Sequence, residues 1–193
     1  MPNMIKIALR NTIKQVRSKM SQSYRSQSST HICNRIRLLD IYVNAKHIAL
    51  YQAANGEVEL NSIWKSAPHH GKTCYFPVLK EDLSLLFVPA KPETTFHKNR
   101  YGILEPDVPH DQAINPNDLD LVFMPLVAFD AKCTRIGMGA GYYDRTFANV
   151  RNCHLFGVAY QFQRVDFIDP QSWDIPLDAV VTNRAIYWRS TAL

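Results

Sequence analysis

A chain of 193 residues with 46% apolar and 20% charged side chains has the composition of an ordinary folded domain, which excludes a disordered tail, a collagen-like repeat and a coiled coil. Its longest apolar run, Leu121 to Phe129, is interrupted by Pro125 and falls far short of the about 20 residues that span a bilayer. The net charge of +5 is unevenly spread: Lys6, Arg10, Lys14, Arg17, Lys19, Arg25, Arg35 and Arg37 all precede the first acidic residue, Asp40, and the remainder is net acidic.

Such a basic opening fits a mitochondrial leader, a nucleic-acid arm, a set of phosphate ligands, or a solvated helix face. The apolar pattern separates these. Leu9, Ile13, Val16 and Met20 recur at helical spacing, and so do Ile32, Ile36 and Leu39. Asn3 can cap the first helix, and Ser21 or Ser23 the second. Two helices that each carry an apolar stripe belong to the fold, whereas a cleaved leader needs no second helix.

Beyond Asp40 the texture changes to short apolar runs alternating with polar segments. Residues 47–51 read as a buried strand, 60–66 as a short helix, and 73–78 and 85–88 as two strands about a turn at Glu81 and Asp82. The stretch from Pro89 to Asn117 reads as one long irregular loop, the kind that serves function. Residues 121–124 form a buried strand, a glycine-rich segment follows that strand and leads into a helix starting near Tyr142, and 154–160, 179–182 and 185–188 supply further strands. This alternation predicts an α/β fold: a single domain over 1–193, with a mostly parallel central sheet flanked by helices and two amino-terminal helices. The four cysteines (Cys33, Cys74, Cys133, Cys153) lie far apart and form no Cys-x-x-Cys, as expected of reduced thiols in a cytoplasmic protein. The seven histidines have no zinc spacing, and His69-His70 reads as a polar turn.

The segment Arg135-Ile-Gly-Met-Gly-Ala-Gly-Tyr-Tyr-Asp144 carries the chemistry. Gly137, Gly139 and Gly141 let backbone N–H groups approach a ligand without a Cβ in the way. Amides converging at a helix start bind phosphate, Arg135 can pair with it in a fork, and Asp144 suits a Mg²⁺ held mainly by phosphate oxygens. Neither established phosphate motif fits. A P-loop ends in Gly-Lys-Ser/Thr, and here Tyr142 follows Gly141. The dinucleotide fingerprint is Gly-x-Gly-x-x-Gly in the first βα turn, and this loop lies two-thirds along the chain.

Together with Phe123-Met-Pro and Phe129-Asp130, this loop resembles the 5-formyltetrahydrofolate cyclo-ligase family, also called methenyltetrahydrofolate synthetases. The resemblance extends over most of the chain: Lys6-Ile-Ala-Leu-Arg10, Glu57-Val58-Glu59, Tyr101-Gly-Ile-Leu-Glu-Pro106 and Gly157-Val-Ala-Tyr with Gln163 resemble further family segments. It implies an ATP-dependent closure of 5-formyltetrahydrofolate to the methenyl form, through phosphorylation of the formyl oxygen and attack by N10. It implies ATP contacts from Lys6, Arg10, Arg135, Ile136, Gly137, Met138, Gly139, Ala140, Gly141, Tyr142 and Tyr143. Substrate contacts fall to Gln52, Glu57, Tyr101 and Tyr143, catalytic roles to Arg135 and Tyr143, and Mg²⁺ to Asp144 and Asp178. The implied partners are these two small molecules, with no nucleic acid and no membrane, for a cytoplasmic monomer. An RNA-binding module built on the basic first 39 residues is the different-class alternative, and it lacks Arg/aromatic repeats. Four positions depart from the family: Leu126 and Ala128 stand where glycines are commoner, Leu60 replaces a Thr, and Ala140 takes a place that is basic in some relatives.

Overall fold

The computed structural model describes residues 3–190, without the side chain of Asn3, so the expected Asn3 cap lies outside the described residues. Helix α1 (Asn3–Lys19) and α2 (Gln22–Arg37) open the chain. Ser21 starts α2: its side chain accepts a hydrogen bond from the Tyr24 amide, as an N-cap does. Then follow α3 (Asp40–Asn44), β1 (His47–Ala49), α4 (Asn61–Ser66), β2 (Thr73–Leu79) and β3 (Leu85–Pro89). The hairpin β4 (Phe96–Lys98) and β5 (Leu104–Pro106) precedes β6 (Leu121–Pro125), and a second, β7 (Ala128–Phe129) and β8 (Arg135–Ile136), follows it. The chain ends through α5 (Tyr142–Phe147), β9 (His154–Val158), β10 (Ala179–Val181) and β11 (Ile186–Trp188).

Seven strands form one sheet in the order β11-β10-β9-β6-β1-β2-β3. Neighbours from β10 to β2 run parallel, and β3 and β11 close the two edges antiparallel. Side chains alternate between faces with the period of two that a strand imposes. Leu121, Phe123, Phe156 and Val181 enter one core with Ile32, Ile36, Tyr42 and Ile63 of α2, α3 and α4. Val122, Met124, Leu155 and Val180 enter the other with Phe147 of α5 and Leu177. Because β2 and β6 lie on opposite sides of β1, the chain reverses its winding direction there. Open α/β sheets bind ligands in the crevice such a reversal leaves at the carboxyl ends of the strands.

Three departures from expectation have physical causes. The stretch 89–117 is not one irregular loop: β4 and β5 pair within it, and the nearly buried Glu105 carboxylate ties them to β2 by accepting from the Leu79 amide at 3.0 Å. The helical stripe of α1 does not run through Val16, which is 41% exposed; Arg17, at 1%, takes the inward place one turn after Ile13. The glycine segment does not follow β6 directly, because β7 and β8 intervene. Asp130 turns that hairpin, accepting from the amides of Lys132 and Thr134 at 3.0 Å. All four cysteines are free, and no described helix is long and apolar enough to cross a membrane.

Candidate active site

A cleft of about 1490 Å³ opens where the chain reverses, and every residue named above as a candidate lines it, from Lys6 and Arg10 to Asp178. One of its walls is basic and has two parts. Helix α1 packs through Ile13, with the partly buried Leu9, on Val127, Ala128 and Ile136 of the hairpin. This brings Arg10 across 127 residues of chain, and its Nε donates to the Gly137 carbonyl at 2.9 Å. Gly139 lies at φ +108°, and a Cβ there would stand 3.4 Å from the Arg10 guanidinium carbon. A side chain would thus be both strained and wedged against the cation. Lys6 Nζ reaches to 3.8 Å from Asp174, and Lys14, one turn beyond Arg10, also faces the cleft.

Arg135 is almost fully buried and does not lie open as a fork for phosphate. Its Nη2 pairs with Asp144 Oδ1 at 2.7 Å and its Nη1 donates to the Ile175 carbonyl. A buried guanidinium needs such partners, because stripping its water without replacement costs several kcal/mol. Asp144 Oδ1 also accepts from the Ile175 amide at 3.1 Å. Both bonds fall on Oδ1, so Oδ2 is the oxygen that can turn to a cation. Among the described residues no three His, Cys, Asp or Glu side chains gather into a metal cage. That donor set fits Mg²⁺ carried in by a triphosphate, which needs only one or two protein carboxylates. Helix α5 spans only six residues, so its dipole is short, and positive charge in the cleft comes from side chains, among them Lys6, Arg10 and Lys14 of α1.

Asp178 faces the cleft but is occupied elsewhere. It accepts from the Leu155 amide at 2.9 Å and meets Arg189 at 3.4 Å, at the end where β9 and β10 begin. It thereby ties the start of β10 to β9 and to the segment after β11, while still lining the cleft.

The other end of the cleft is aromatic and acidic. Glu57, whose side chain is 11% exposed, accepts from the Ala54 amide through Oε2 at 3.0 Å and stands 3.6 Å from Arg17 through Oε1. Burial pushes its carboxyl above the usual range, while Arg17 and the Ala54 amide pull it down. Tyr143 stacks on Phe147, and burial raises its phenol, with the Glu57 charge adding and Arg135 opposing. Tyr143 therefore stands between the acid of one end and the guanidinium of the other. Tyr51 donates to the Val58 carbonyl at 2.7 Å beneath the same turn, and Gln52 lines the cleft beside it. Opposite, the hairpin tip is held by Asn99, which donates to Glu105 at 2.8 Å and accepts from the amides of Tyr101 and Ile103. Tyr101 thereby stands 57% exposed on the rim, with Arg100 over its ring and bonded to the Tyr142 hydroxyl at 3.0 Å.

Arg17, Lys14 and Asp174 were not legible as site residues, and Glu105 was legible only as part of the Tyr101–Pro106 segment. A charge at a helix's inward position reads as surface, and Glu105 shows its task only once β5 is paired. The departures at Leu60 and Leu126 are explained by packing. Leu60 starts α4 with no side-chain cap bond and is buried, and Leu126 fills space above Gly157.

A sequence profile of the 5-formyltetrahydrofolate cyclo-ligase family matches residues 3–183. The 5-formyltetrahydrofolate cyclo-ligase of Haemophilus influenzae is 35% identical over 173 residues, covering 88% of this chain and 92% of that one. The one from Escherichia coli K12 is 31% identical over 179 residues, 91% of this chain and 98% of its own. The solved 5,10-methenyltetrahydrofolate synthetase of Aquifex aeolicus superposes with a TM-score of 0.85 at 28% identity, over 98% of this chain and 95% of that one. With the sheet order, the glycine loop and the basic helix now joined in one cleft, this match over nearly the full length settles descent: the chain belongs to the 5-formyltetrahydrofolate cyclo-ligase family.

Proposed function

We propose that this cleft performs the reaction of its family, the ATP-dependent closure of 5-formyltetrahydrofolate to 5,10-methenyltetrahydrofolate with release of ADP and phosphate. The observation that carries the reading is one cleft holding helix cations, a glycine loop and a buried carboxylate. The formyl oxygen is amide-like and leaves poorly. It takes the γ-phosphoryl group from ATP, N10 attacks the activated carbon, and phosphate departs with that oxygen. Protein catalysis of such a transfer is mostly positioning and charge.

Lys6 and Arg10 supply charge to the phosphates, and the backbone from Ile136 through Met138 and Ala140 to Tyr142 lies against them. Arg135 adds buried positive charge and aims Asp144. Asp144 Oδ2 would hold Mg²⁺, which when bound neutralises the triphosphate. Tyr143 keeps its proton because burial raises its pKa, so its hydroxyl is a hydrogen-bond donor towards the formyl oxygen. Glu57 accepts from pterin N–H groups, Gln52 adds a second contact, and Tyr101 covers the ring system. The work needs two small molecules and neither nucleic acid nor membrane, and the chain acts as a cytoplasmic monomer of one domain.

The direct test is absorbance. Adding ATP and Mg²⁺ to the protein with 5-formyltetrahydrofolate should produce the methenyl chromophore with stoichiometric ADP. Binding of both ligands without the chromophore would overturn the reading.

A further inference from the structure

The basic residue best hidden from water is Arg17, at 1% exposure, and no part of the reaction scheme above uses it. Its guanidinium lies beneath the turn that delivers Glu57. That turn presses directly on α1: Gly56 is at φ +74°, and a Cβ there would come within 2.9 Å of the Arg17 carbonyl oxygen. Arg17 Nη1 lies 3.6 Å from Glu57 Oε1, while its Nε and Nη2 have no hydrogen-bond partner. A guanidinium taken out of water with two nitrogens unpaired is costly. The compensation at hand is the Glu57 carboxylate, held on its other oxygen by the Ala54 amide.

We propose that Arg17 is the positioning residue for Glu57: it keeps the carboxylate ionised and aimed into the cleft, and ties it to the helix that bears Lys6 and Arg10. This rests on reading Glu57 as the pterin contact. At 3.6 Å the pair attracts without a formed hydrogen bond, so Oε1 stays free to accept from a ligand. Arg17 lies seven residues past Arg10, roughly 10 Å along α1. One rigid element therefore presents phosphate cations near its start and the Glu57 partner near its end.

The charged and titratable groups around Glu57 come from four elements. Arg17 belongs to α1, Tyr143 to α5, Tyr51 follows β1, and Tyr160 follows β9 and donates to the Glu57 carbonyl at 3.3 Å. The Tyr51 and Tyr143 phenols are raised by burial, and that of Tyr160 is pushed up to about 12. All three stay neutral between roughly pH 5 and 9. Of these groups, Glu57 is the one that acidification protonates. Burial raises its pKa and Arg17 lowers it. Without Arg17 the pKa climbs further, and binding that needs the carboxylate fades at a higher pH as the solution is acidified.

The experiment is equilibrium binding of 5-formyltetrahydrofolate and, separately, of ATP across pH 5 to 9, for wild type, Arg17→Met, Arg17→Lys, Glu57→Gln and the double variant Arg17→Met with Glu57→Gln. Arg17→Met should weaken folate binding roughly tenfold or more at neutral pH, leave ATP binding within about twofold, and move the acid midpoint upward. Arg17→Lys should recover part of the affinity and return the midpoint, and it stands as the test if the Met variant does not fold. In the double variant the loss should not exceed that of Glu57→Gln alone. Folate affinity and midpoint unchanged in Arg17→Met, or in Arg17→Lys if only that folds with Glu57→Gln still damaging, would overturn the inference by itself. Unchanged affinity in Glu57→Gln would instead overturn the pterin assignment beneath it.

Discussion

Asp144 is where a single atom decides between two accounts. One of its oxygens is bound to Arg135 and to the Ile175 amide, and the other is free to meet a cation. Asp144→Asn keeps the shape, removes the charge, and leaves Arg135 buried beside a neutral group. Loss of the charge-assisted bond should lower stability by about 1.5–3 kcal/mol, read as a drop in melting temperature. If the residue also holds Mg²⁺ on the nucleotide, turnover should fall by orders of magnitude and the Mg²⁺ requirement should rise, in protein that is still folded at assay temperature. Normal Mg²⁺ dependence would reduce Asp144 to a partner of Arg135. For Glu57→Gln the expectation is selective: folate binding weaker by roughly ten- to hundredfold, ATP binding little changed, both measured by titration. Equal losses would move Glu57 out of the pterin pocket. Residues with a motif around them were legible in the sequence, because the glycine loop and the Lys6–Arg10 pair have few other uses together. Arg17, outside any motif, was not, and Glu105 was legible only as part of the Tyr101–Pro106 segment, without its task. Their tasks depend on a turn and a hairpin that only the folded chain brings alongside.

Apolar runs and periodicity place β2, β3, β6 and β9 close to where they fall, whereas the five-residue α3 was not read. The strands that escaped, β4, β5, β7 and β8, are two or three residues long and, unlike the equally short β1 and β10, lie outside the central sheet. They are fixed by side-chain clamps at Glu105 and Asp130. Helix α1 is anchored over the hairpin by Ile13, so deletion of residues 1–10 should leave circular dichroism and the melting transition largely intact. Turnover should be lost with Lys6 and Arg10; near-normal ATP affinity in the shortened chain would clear those two of phosphate binding. The contact between β9 and the segment after β6 makes a second element-scale prediction. A Cβ at Gly157 would lie 2.6 Å from both Leu126 and Leu177, so Gly157→Ala should destabilise by about 1–3 kcal/mol. Adding Leu126→Ala should recover part of that loss in chemical denaturation, since it clears one of the two clashes. Additive losses would mean that the leucine does not fill the glycine's space.

At the scale of the whole molecule, the alternation of elements was enough to read a mostly parallel α/β sheet, whereas its order was not readable. Strands from β10 to β2 share one direction, and only pairing tells that β1 lies between β2 and β6. That order opens the crevice, and one of its walls joins distant parts of the chain: α1 and the loop after β8, held together by Arg10 and Gly137 across 127 residues. The consequence is one of timing. A ribosome adding about 5–20 residues per second makes α1 roughly 6–25 s before the loop that receives it. For that interval the first helix has neither its hairpin nor its nucleotide, and its cations face only water and whatever anions are nearby. Helix α1 therefore waits for a loop made well after it.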